Sequence, residues 1–135
     1  MLLWWLTGVP VLTTLWHDAR LTAAIVMGSG VLPPPSTARW DVLLVATGLH
    51  FALSIAYAVP PVLCAGRLRA RWLIVGGGFY GLAIYGVNLY GFTTVFPWFA
   101  VSRGWVTVLT HVVFGIALAG TAQLLAAVDR GQDQD

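Results

Sequence analysis

The chain has 135 residues, 59% of them hydrophobic and only 9% charged, and its net charge of +2 comes from seven Arg against five Asp, with neither Lys nor Glu. A water-soluble domain is about one-quarter charged, so a surface built from this composition excludes a soluble protein and makes lipid the expected solvent. Seven arginines are also too few for a nucleic-acid footprint, and the length leaves room for a single domain over residues 1–135.

In chain order, Met1 to Trp16 is apolar but falls short of the roughly 20 residues that cross the hydrocarbon core as a helix. No Arg or Lys precedes it, so it does not read as a cleaved secretory signal. It is expected to stay on the protein as a short first span. His17-Asp18-Ala19-Arg20 is polar enough to require water or headgroups. Leu21 to Met27 is then expected as a short interfacial helix, stopped by Gly28, Gly30 and Pro33-Pro34-Pro35, since proline cannot donate into a helix and restricts the residue before it.

Three further segments reach the length of a span: Asp41 to Leu63, Trp72 to Thr93 and Trp105 to Val128. Their apolar runs are continuous rather than alternating, which argues against a β-barrel. The expected fold is all-α: an integral membrane bundle of about four helices plus the short interfacial helix. Arg67, Arg69 and Arg71 crowd one connection and Arg130 follows the last span, whereas Arg20, Arg39 and Arg103 are spread over the opposite side. Arginine bias then places that loop and both termini in the cytoplasm. Trp40, Trp98, Trp105, Phe96 and Phe99 are expected at the outer interface, and Trp72 at the inner one. Three arginines fall below the usual polybasic cluster of about four to eight, so they serve as a topology signal.

The polar residues within the spans are not scattered. Thr47, His50, Ser54 and Tyr57 share one helical face; Gly77, Gly81, Tyr85 and Asn88 share another; Thr107, His111, Gly115 and Ala119 share a third. Polar groups are costly against lipid, so these faces are expected to meet as an interior cluster of Thr47, His50, Ser54, Tyr57, Tyr85, Asn88 and His111. Gly77 with Gly81, and Gly115 with Ala119, form small-xxx-small pairs that let backbones approach. At 1.5 Å per residue, His50 and His111 lie roughly 13 and 9 Å below the outer ends of their helices.

These residues leave several functions open. The bland reading is hydrogen-bonding glue in a non-catalytic accessory or scaffold subunit of a larger membrane complex, a respiratory complex being one candidate, with lipid and other membrane subunits or its own copies as partners. One alternative is a b-type haem held by His50 and His111, with Arg39 and Arg103 pairing its propionates. Another is a small oligomeric transporter or channel lined by the polar stripes, or a proton or quinone site at His50, Tyr85 or His111. No catalytic residue is expected: the carboxylates lie outside the spans or at their edge, and no Ser or Cys has evident proximity to His17 and Asp18. The lone Cys64 forms no internal disulfide, and no Cys/His spacing suggests a metal. Gly76-Gly77-Gly78 and Gly28-Ser29-Gly30 follow no strand and are not phosphate cradles.

Several motifs carry a resemblance. The run Arg20-Leu-Thr-Ala-Ala-Ile-Val-Met-Gly-Ser-Gly-Val-Leu-Pro-Pro-Pro, His50-Phe-Ala-Leu-Ser, Val87-Asn-Leu-Tyr-Gly-Phe, Phe96-Pro-Trp-Phe, Arg103-Gly-Trp and His111-Val-Val-Phe-Gly together cover Arg20 to Gly120. In these the chain resembles a group of short bacterial inner-membrane proteins often described as sodium:proline symporters. The resemblance implies a bacterial inner-membrane location and supplies no catalytic residue. Symporters of that class use many spans arranged as repeats, whereas this sequence has about four spans and no visible repeat.

Overall fold

The computed structural model describes residues 11–33, 38–65, 67 and 69–132, and helix with short turns is the only regular structure among them. Among the described residues four α-helices follow in order: α1 Val11–Met27, α2 Trp40–Cys64, α3 Ala70–Gly86 and α4 Trp105–Gln132. Among the described residues three stretches are long and apolar enough to cross a membrane: Trp40–Cys64, Arg71–Thr94 and Trp105–Gln132. The protein is therefore all-α and multi-pass, and the three spans lie where the unbroken apolar runs put them. The chain forms two compact units, Met1–Ser54 and Ile55–Asp135, with the division inside α2.

In the first unit the expected break at His17–Arg20 does not occur. Residues 1–10 of the expected first span lie outside the described residues, but α1 runs without interruption from Val11 through His17, Asp18 and Arg20 to Met27. A separate interfacial helix at Leu21–Met27 is thus corrected to the second half of one helix. The physical reason is local satisfaction of the polar groups. Arg20 is only 3% exposed, and its Nη1 donates to the Val31 carbonyl 3.1 Å away. His17 Nδ1 lies 3.3 Å from Asp18 Oδ1. Arg20 therefore lies within a helix rather than in a connecting loop. Ala19, Leu21, Ala23 and Ala24 are also buried, which is the close packing that small side chains permit. Gly28 ends α1 with φ of 80°, a conformation that favours glycine, and a short 3₁₀ turn, Ser29–Val31, follows. The Trp16 and Trp40 rings meet edge to face at 6.0 Å.

In the second unit α3 and α4 pack backbone to backbone. A Cβ added to Gly77 would stand 2.7 Å from the Gly115 carbonyl and 2.8 Å from the Ala119 methyl. One added to Gly81 would run into the His111 carbonyl, and one added to Gly115 would run into the Gly77 carbonyl. Gly77 and Gly81 therefore face Gly115 and Ala119, the small residues that share faces in the sequence. In lipid there is little hydrophobic drive between helices, so this close van der Waals approach is what holds them.

Candidate functional site

The polar side chains of the second unit gather where α2 ends and where α3 changes its winding. Proline has no N–H, so Pro61 cannot donate to the carbonyl of Tyr57 four residues earlier. In hydrocarbon an unpaired carbonyl costs several kcal/mol. The hydroxyl of Tyr80, on α3, donates to that carbonyl at 3.0 Å. The Tyr57 side chain makes a second tie, its hydroxyl donating to Asn88 Oδ1 at 2.6 Å. Tyr57 thus fastens the C-terminal turns of α2 to α3 through both its backbone and its side chain.

Asn88 lies in a π-turn, Val87–Gly91, which continues α3 and is followed by 3₁₀ turns at Phe92–Thr94 and Pro97–Ser102. Such wide turns interrupt the regular i to i−4 ladder and often mark functional positions. Here the Leu89 carbonyl accepts from Arg103 Nε at 2.8 Å and from the Thr93 hydroxyl at 3.3 Å. Arg103 Nη2 also donates to Thr93 Oγ1 at 2.8 Å, and its guanidinium carbon sits 4.3 Å from the centroid of the Tyr90 ring. Arg103, which follows the 3₁₀ turn, therefore caps the outgoing end of the second span.

Aromatic contacts extend from this cap. Tyr90 meets Tyr85 at 5.9 Å between centroids, and Tyr85 meets His111 edge to face at 5.6 Å. His111 Nδ1 donates to the Thr107 carbonyl one turn earlier, at 2.7 Å. That bond fixes the orientation of the imidazole ring. Arg103, Tyr90, Tyr85 and His111 form a ladder of side chains along one side of the α3–α4 pair.

The structure thus brings Tyr57 to Asn88 and Tyr85 to His111. Ser54 is half-buried, whereas Thr47 and His50 are exposed on α2. Arg39 pairs with Asp41, its Nε 3.1 Å from Oδ1, and the neighbouring carboxylate raises the arginine's already high pKa through that hydrogen bond. Both arginines considered for propionates are therefore committed to groups of this chain. Tyr80, Tyr90 and Arg20 were not singled out as interior hydrogen-bonding or ring-contact residues by the sequence. The signal for Tyr80 was present: Pro61 orphans the Tyr57 carbonyl, so a donor on a neighbouring helix is required.

Asp18 differs from the other described carboxylates in its surroundings. Burial pushes its pKa above the usual carboxylate range, with His17 pulling in the opposite direction. Among the described residues no group of three His, Cys, Asp or Glu is placed to hold a metal ion. The arrangement is one of donors satisfying backbone carbonyls and of stacked rings. No family model, curated protein or solved structure matches the chain.

Proposed function

We propose that the protein is a small non-catalytic membrane subunit that packs within the bilayer against another membrane protein. The observation that carries this reading is the polar face of α2. Thr47 and His50 are exposed on a span that buries only 11% of its apolar window, against 28% for the second span. An imidazole well inside the hydrocarbon is costly against lipid, whereas a partner helix supplies a hydrogen-bonding group and covers it. Gly48, beside them, has open space where a side chain would stand, so a second backbone has room to approach. We also infer a bacterial inner-membrane location with both termini in the cytoplasm. The arginine bias rests on Arg67, Arg69, Arg71 and Arg130 against Arg20, Arg39 and Arg103, with three of the first group crowded into one connection.

Affinity purification from native membranes in mild detergent, followed by mass measurement, tests the reading. The expected result is a stoichiometric second membrane protein with wild type and its loss with His50→Leu. Recovery of the lone chain in both cases contradicts it.

One observation favours a second reading, the b-type haem. A ligating imidazole is normally held by a hydrogen bond from its other ring nitrogen, and the Nδ1 bond to Thr107 gives His111 that arrangement. It ranks second because Arg39 and Arg103 are engaged elsewhere. Absorbance of the protein purified after haem-replete expression decides it: a Soret band lost in both His50→Leu and His111→Leu supports haem, and no band in wild type eliminates it.

A further inference from the structure

The second unit holds an apolar cleft of about 190 Å³, walled by Pro60, Pro61 and Cys64 at the end of α2, by Trp72, Gly76 and Tyr80 on α3, and by neighbouring apolar residues of α3 and α4. Its origin lies in the sequence. Two consecutive prolines present flat rings in place of N–H groups, and Gly76 supplies no side chain to fill the space opposite. A Cβ added at Gly76 meets nothing within 4 Å, so the cleft is not closed by its own helix.

Three arginines stand on the connection beside the cleft. Arg71 lies over the Trp72 ring, 5.6 Å from its centroid, which holds a cation beside the cleft wall. Arg67 and Arg69 are exposed on the same connection, and Arg67 donates to the Leu63 carbonyl at the end of α2. The sequence has no Asp or Glu between Asp41 and Asp129. The ion pairs among the described residues are His17 with Asp18 and Arg39 with Asp41, so among the described residues no carboxylate is paired with this cluster.

We propose that the cleft is a site for one anionic glycerophospholipid, its acyl chain against Pro60, Pro61, Gly76 and Tyr80 and its phosphate on Arg71 and Arg69. The apolar walls suit a hydrocarbon chain, and guanidiniums paired with no described carboxylate suit a phosphodiester. Their adjacency at the end of the spans is the geometry in which headgroup and chain of one molecule are bound together. Three arginines alone are weak as a polybasic patch; joined to a cleft, they act on a lipid already held by its chain.

Native mass spectrometry of the full chain, delipidated in detergent and titrated with phosphatidylglycerol or phosphatidylcholine, tests the site. Wild type is expected to bind phosphatidylglycerol in preference. Arg71→Gln should weaken that binding about fivefold, the contribution of one arginine near a charged lipid surface. Gly76→Leu, which fills the cleft from an open position, should bring it down to the phosphatidylcholine level. Gly120→Leu, another glycine with open space beside it, should leave it unchanged, and thermal unfolding of each variant confirms a folded chain. Equal binding of the two lipids by wild type overturns the proposal. So does full phosphatidylglycerol binding by folded Gly76→Leu, because headgroup attraction alone would then explain the preference.

Discussion

At the scale of single residues, Pro61 creates a need in Tyr57 that Tyr80 meets. Replacing Tyr80 by Phe leaves the Tyr57 carbonyl without its donor and should cost about 1 to 2 kcal/mol of stability in detergent or bilayer. Pro61→Ala returns an N–H that reaches the same carbonyl, so Tyr80→Phe should cost markedly less in that background. Denaturant unfolding of the four proteins gives the coupling directly, and strict additivity would show that Tyr80 acts elsewhere. Asp18 offers a test through pH. Its folded pKa is raised, so the folded state favours the protonated carboxyl. This contribution is present at acid pH below the unfolded value and is lost as pH rises through the folded one. Asp18→Asn should remove that loss, and the variant should gain on wild type between acid and neutral pH; parallel pH profiles would contradict the assignment. Residue-level contacts were the least legible part of the sequence. Arg20 read as a headgroup-facing charge, because nothing local announces that a carbonyl eleven residues later will receive it.

At the scale of elements, the α3–α4 pair depends on missing side chains. Gly81→Ala and Gly115→Ala each place a methyl group against facing backbone, and overpacking of this kind costs about 1–3 kcal/mol. Gly120→Ala, in open space on α4, should instead be neutral or stabilising by about 0.5–1 kcal/mol, since alanine is the better helix former. Equilibrium unfolding separates the two classes, and equal effects at all three positions would refute the close-contact account. This pairing was legible because small residues recur at four-residue spacing, a property of sequence alone. The three spans were legible for a similar reason: their apolar runs are unbroken and end at tryptophan, proline or arginine. The π-turn at Val87–Gly91 was not, because its winding is stabilised by Asn88 bonding to Tyr57 and by Arg103 bonding to Leu89, contacts 31 and 14 residues apart in sequence. The continuity of α1 was hidden likewise, since a polar stretch reads as a break until its partners are known.

At the scale of the whole molecule, the protein presents membrane-spanning helices with most of their apolar surface uncovered and no carboxylate deep within them. Its insertion should follow the arginine cluster. Reporter fusions after Arg67 are expected to report the cytoplasm and fusions after Ser102 the opposite side, with the triple change Arg67→Ala, Arg69→Ala and Arg71→Ala mixing the two orientations. The reverse pattern in wild type would overturn the inferred orientation. The proposed role as a subunit stands on His50, a polar side chain exposed on the least buried span. The most direct test is a photocrosslinking amino acid placed at position 50, activated in native membranes, with one at exposed Phe79 for comparison. The account predicts a discrete adduct with a second membrane protein at position 50. An adduct with another copy of this chain would replace the accessory subunit by a homo-oligomer, and lipid adducts alone at position 50 would contradict the account.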